Sequence, residues 1–141
     1  MAMQHRWGWG MLVGGVLIGC GRVAEEPPGT GAKECVQAYY EALIHKDWAK
    51  GYASLDGQSQ KRCSSQQFSR LAQRYRSNLG FEPEVVQVRV CEERGTEATA
   101  HVVLTGRSAT HTRRYKDAVT LRRRDYWRVV LPPNFGQTRK R

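Results

Sequence analysis

Gly80 divides the chain into two stretches whose apolar residues keep different rhythms. Before it, apolar side chains recur at three and four, the spacing of one helix face; after it they alternate at two, the spacing of a half-buried strand. A chain ordered this way folds helices first and then pairs strands in sequence. That excludes the alternating strand-helix pattern of a parallel sheet and points to an α+β architecture.

In the first stretch, Val36, Tyr39, Tyr40, Leu43 and Ile44 predict an amphipathic helix over 32–46. Asp47 caps a second, shorter one with Trp48, Tyr52 and Leu55 facing inward, and Asp56-Gly57 ends it. Ser64 or Ser65 caps a third. Gln67 completes a capping box there, and Phe68, Leu71, Ala72, Tyr75 and Leu79 form the stripe up to Gly80. In the second stretch Val86, Val88 and Val90 share one strand face, and Ala98, Ala100, Val102 and Leu104 share the next. A third strand runs from about His111 to Arg122 with Tyr115, Val119 and Leu121 on one side. A turn through Arg123, Arg124 and Asp125 leads to Trp127, Val129 and Leu131, and Pro132-Pro133 ends the sheet. The expectation is three N-terminal helices packed on a curved four-stranded antiparallel sheet spanning 32–133, followed by a basic, mobile tail over 134–141.

Ahead of this domain the chain changes character. His5 and Arg6 precede an uncharged run from Trp7 to Gly19, interrupted by Gly8, Gly10, Gly14 and Gly15. A membrane span needs about 20 apolar residues, so this run is too short and too dilute to be one. A basic start, a short apolar centre and small residues at the exit describe a secretory signal over 1–19. Leu17-Ile18-Gly19-Cys20 resembles the bacterial lipobox, in which the cysteine thiol takes a diacylglycerol and becomes the new N-terminus. That resemblance implies a protein of the bacterial cell envelope, held to a membrane by lipid on Cys20, with its domain outside the cytoplasm. Residues 20–31, rich in proline, glycine and acid, read as a flexible tether.

Removing residues 1–19 leaves 122 of 141, room for one small domain. The formal charge of +10 falls to +9 with Arg6 gone, which favours anionic surfaces such as lipid headgroups or cell-wall polymers. Export argues against nucleic acid. Three cysteines follow Cys20, in no zinc-ligand spacing. Cys63, in a loop before a helix, and Cys91, at a strand end, are the candidate bridge; three separate, partly buried thiols are the alternative.

The stretch Val36-x-x-Tyr39-Tyr40-x-Ala42-Leu43-x-x-x-Asp47-Trp48, then Phe68 and the closing Tyr126-Trp127-Arg128-Val129, resembles the nuclear-transport-factor-2-like superfamily, SnoaL-like cyclases included. The resemblance covers residues 32–133 and implies a cone of three helices and a bent sheet. That superfamily holds isomerases, cyclases and dehydratases beside binding domains without catalysis, so the fold does not choose among them. Its enzymes place a carboxylate or histidine inside the cone, often with a tyrosine donor. By alternation Asp117 shares a face with Tyr115, Val119 and Leu121 and is the one candidate base; a bulge would turn it outward to pair with a neighbouring cation. Tyr39, Tyr40, Tyr52, Tyr115 and Trp127 are candidate pocket lining or simply core. Arg113, Arg114 and Lys116, with Arg122, Arg123 and Arg124, are a candidate anionic-surface patch if the hairpin ends bring them together. No metal site or cofactor is expected. The reading favoured by these residues is an anchored domain that binds a ligand or envelope partner without catalysis. The alternatives are a small isomerase or cyclase with Asp117 as base, and an electrostatic binder of anionic lipid or cell-wall polymer.

Overall fold

The computed structural model describes residues 29–137. The signal segment, Cys20 and most of the tether lie outside the described residues, as do the last four.

Four helices precede the sheet: α1 (Ala32–Ile44), α2 (Trp48–Ala53), α3 (Gly57–Arg62) and α4 (Ser65–Leu79). The additional helix is α3. Asp56-Gly57 does not end the helical run but restarts it, because the Asp56 carboxylate accepts the backbone N–H of Ser59 at 3.0 Å and caps the new first turn. Tyr52 Oη then donates to the carbonyls of Gln60 and Cys63, at 3.1 and 2.8 Å, and ties the far end of α3 to α2. The expected caps of α2 and α4 are present, with Asp47 accepting from Lys50 and Ser64 exchanging bonds with Gln67. Gly80 stops α4 in the left-handed region, at φ +72°.

Strands β1 (Glu82–Arg94), β2 (Glu97–Ser108), β3 (His111–Arg123) and β4 (Trp127–Val130) form an antiparallel sheet in chain order. The fold is therefore α+β, a four-stranded antiparallel sheet with α1 and α4 packed against it and the α2–α3 link along its β4 edge. Val36, Tyr40 and Leu43 of α1 and Phe68 and Ala72 of α4 meet Ala100, Val102, Leu104, Val119 and Leu121 in a single core. A register shift between Val88 and Val90 adds a residue to β1. Val90 consequently turns outward, 44% exposed, and Cys91 takes the inner face against the core. The edge strand β4 is covered by the α2–α3 link, since Val129 N–H donates to Ser54 O and Asp56 N–H to Val129 O.

Both ends of the ordered domain extend past the expected limits. At the start, Thr30 accepts the Trp127 indole N–H at 2.7 Å and donates its hydroxyl to Glu93 at 2.9 Å. At the other end the chain continues beyond Pro133 into the core. Phe135 is buried and stacks on Phe68 and Tyr75, with ring centroids 5.7 and 5.2 Å away. Gly136, at φ +71°, lies so close to the Leu71 backbone that a Cβ would collide with it. Residues 134–137 are thus part of the domain, with Phe135 and Gly136 buried and Asn134 and Gln137 exposed.

Cys35, Cys63 and Cys91 are free thiols, so the Cys63–Cys91 bridge is not formed. The two lie in different surroundings. Cys63 closes α3 beside Leu71 and Phe135, whereas the bulge turns Cys91 toward Cys35 at the start of α1.

Candidate functional site

No bulge interrupts β3, and Asp117 keeps the inward face that alternation predicts. Its partners are not cations. Tyr40 and Tyr75 both donate their hydroxyls to Oδ2, at 2.9 and 2.8 Å, and the Ala118 backbone N–H donates to Oδ1 at 2.9 Å. Two helices and one strand therefore converge on one carboxylate. Tyr40 is set by the α1 stripe, Tyr75 by the α4 stripe, and Asp117 by strand parity. Burial, reinforced by the Asp117 charge, holds both phenols well above the usual tyrosine pKa. They are donors at any ordinary pH. Tyr39 stands edge-on to Tyr40, with centroids 5.2 Å apart, and the same two causes hold it protonated. Its hydroxyl is buried with no hydrogen-bond partner among the described residues.

The open space beside this cluster is small. A partly open cavity of about 110 Å³ touches Asp117, Tyr75 and Tyr115, and Pro132, Asn134 and Phe135 also border it. The C-terminal segment fills the mouth of the cone that the sheet would otherwise leave open. Oδ2 accepts two hydrogen bonds, its full complement, so a proton acceptor for catalysis would have to be Oδ1 alone.

Of the five tyrosine and tryptophan positions read as pocket lining, Tyr115 alone borders this cavity. Tyr39 and Tyr40 are core, Tyr52 is spent on the α3 carbonyls, and Trp127 is buried at the opposite end against Thr30. Tyr75 is the member that lining counts from the sequence missed. Its stripe position marked it as core, and only tertiary packing shows that its hydroxyl reaches Asp117. His101 and His111 are exposed and His45 caps the end of α1, so none joins the cluster.

The basic groups do not form one patch. Arg113, Arg114 and Lys116 lie near the β2–β3 turn, and Arg122, Arg123 and Arg124 lie at the other end of the same strand. Nine residues of extended chain separate Arg113 from Arg122, about 30 Å. Arg114 and Lys116 pair with Thr105 and Val103 across the sheet. At the far end Arg122 approaches Asp56 at 3.6 Å and Gln58 at 3.0 Å, while Arg123 stacks over the Trp127 ring at 5.7 Å. A groove of about 420 Å³ opens there, bordered by Lys61, Arg122, Arg124, Arg128, Asp125 and the exposed Tyr126. Among the described residues, no cluster of histidine, cysteine or carboxylate is arranged to hold a metal, and no helix is long and apolar enough to cross a membrane.

No protein-family model matches the sequence, and no curated protein matches it. Solved structures do match in fold. A Campylobacter jejuni protein named as an NTF2-like transpeptidase superposes with a TM-score of 0.58 at 13% identity, over 71% of this chain and 97% of the other. A SEC-C motif protein of Rhodopseudomonas palustris gives 0.53 at 13% identity, over 69% of this chain and 73% of that one. A second SEC-C motif protein, from Psychrobacter arcticus, gives 0.57 at 8% identity; 78% of this chain spans 64% of its length. The fold is nuclear-transport-factor-2-like. At these identities the likeness is one of fold alone.

Proposed function

We propose that this chain is an envelope lipoprotein, anchored through Cys20, whose domain binds a ligand or envelope partner without catalysing a reaction. The observation that carries the second half is the Asp117 carboxylate. Three donors occupy it, two of them buried phenols, and the adjoining cavity of about 110 Å³ falls short of the ~300–1,000 Å³ usual for ligand pockets. The cluster serves as a polar tie inside the core. An isomerase or cyclase with Asp117 as base needs a free carboxylate lone pair facing a substrate-sized space. Transpeptidase chemistry, which the name of the Campylobacter neighbour carries, needs a nucleophile, and neither serine nor cysteine borders this cavity.

The first half rests on Leu17-Ile18-Gly19-Cys20 and on the position of Thr30, which fixes the start of the domain at Trp127. The ten residues from Cys20 to Gly29 reach at most about 35 Å when extended, so the anchored domain stays near the bilayer. The same end of the domain carries Arg124, Arg128, Lys61 and exposed Tyr126, which supports the electrostatic reading as a second contribution to membrane contact.

The test is fractionation after expression in a bacterial host. The parent chain is expected in the membrane fraction with acyl label on Cys20, and Cys20→Ser is expected to be released. Retention of Cys20→Ser on membranes sinks the anchor. Turnover of a ketosteroid or polyketide substrate that Asp117→Asn abolishes, with the fold intact, sinks the non-catalytic reading.

A further inference from the structure

Outside the cone, α4 and the C-terminal segment enclose a second groove, of about 360 Å³. Its floor is apolar, made by Leu71, Leu131, Pro132 and Phe135 with Cys63 beneath. Its walls are fixed. The Leu131 N–H donates to the buried Ser59 hydroxyl at 2.9 Å, and Gly136 lies against the Leu71 backbone. The rim is cationic: Arg62, Arg70 and Arg74 border it, and no carboxylate does.

Those arginines are a standing electrostatic cost. The sequence of α4, SQQFSRLAQRYRSNL, holds three arginines and no acid. Arg76 has Glu82 as its partner, but no ion pair among the described residues involves Arg70 or Arg74. They sit one helical turn apart, where like charges repel by roughly 0.2–0.5 kcal/mol. Arg62 leans on the Leu131 carbonyl and Ser59 hydroxyl, both at 3.4 Å, at the same rim. A solvated helix face does not require an apolar trough between its charges, yet here the trough is present and lies inside the size range of ligand pockets.

We propose that this groove binds a single-chain acyl carboxylate, a fatty-acid-like molecule whose chain lies on Leu71, Leu131 and Phe135 and whose carboxylate meets Arg70 and Arg74. Guanidinium suits a carboxylate through paired N–H donors. The apolar floor rewards each methylene it covers, and one groove accommodates one chain. The proposal builds on the binding reading above and supplies its ligand class, while its chemistry is independent of Cys20.

The full chain bearing Cys20→Ser is titrated with the fluorescent fatty acid cis-parinarate, then with laurate and with methyl laurate as competitors. Laurate is expected to displace the probe, and the methyl ester to compete roughly tenfold or more weakly, because the charge-assisted bonds are gone. The double variant Arg70→Glu/Arg74→Glu is expected to lose affinity by a similar factor. Both side chains are exposed, so circular dichroism should report an intact fold. Arg89→Glu/Arg94→Glu, with the same change in net charge on exposed β1 residues that do not border the groove, is expected to bind as the parent does. Equal competition by ester and acid overturns the proposal, as does equal binding by the groove variant or equal loss in the remote one. Membrane release of Cys20→Ser is scored separately, so the anchor and the groove fail independently.

Discussion

Tyr75 and Asp117 lie 42 residues apart in the chain and are joined by a 2.8 Å hydrogen bond inside the domain. Tyr40 reaches the same oxygen from the other long helix. The carboxylate thus links α1, α4 and β3, and deleting it strands two buried phenols. Asp117→Ala is expected to destabilise the domain by about 2–5 kcal/mol in urea titration, and Tyr75→Phe, which leaves the Tyr40 bond, by about 1–3. Catalytic carboxylates are commonly bought with stability, so a stabilised Asp117→Ala would speak for the enzyme reading.

The buried phenols also set an alkaline limit. Tyr39, Tyr40 and Tyr75 have folded pKa values raised above the unfolded value near 10, first by burial and then by the Asp117 charge. A group that holds its proton more tightly when folded contributes its full stability below the unfolded pKa and loses it as pH rises beyond. Stability is therefore expected to fall above about pH 10. Tyrosinate absorbance near that pH should show three of the six tyrosines ionising only together with unfolding.

Phe135 closes the cone, stacking on Phe68 and Tyr75. Phe135→Ala is expected to cost about 3–5 kcal/mol, measured by denaturant unfolding. A chain ended after Pro133 should lose at least as much. An unchanged unfolding midpoint in either would mean that the segment is not packed in solution.

Burial raises the pKa of all three domain thiols, and pushes that of Cys35 to about 11. At pH 8 about one Cys35 thiol in a thousand is then ionised, and only the thiolate alkylates. In the Cys20→Ser chain, iodoacetamide should modify Cys35 slowly until urea is added. Intact mass under non-reducing conditions should show three thiols; a deficit of two hydrogens would indicate a bridge.

The residues explain why some of this was legible from sequence and some was not. Helix α4 announces itself at every level, with a capping box at Ser64 and Gln67, an unbroken stripe and a terminating Gly80. Helix α3, Gly-Gln-Ser-Gln-Lys-Arg, has no apolar period at all. Its formation depends on the Asp56 cap and on Tyr52 reaching across from α2, and that reach is tertiary information. The bulge before Val90 turns that valine outward and puts Cys91 on the inner face, without a glycine or proline to mark it. Phe135, a lone aromatic after Pro132-Pro133, offers no rhythm to read, so the closure of the cone went unseen. Asp117 was placed on its face by parity alone. What it does there was hidden, because its partners come from other elements and a hydroxyl on a core stripe carries no periodic signal.

Thr30 grips both margins of the sheet at once, accepting from Trp127 on β4 and donating to Glu93 on β1. Any tension arriving along the chain from its N-terminal side is divided there between two strands that are not neighbours. Such a load bears on both edges of the sheet together, not on a single edge strand.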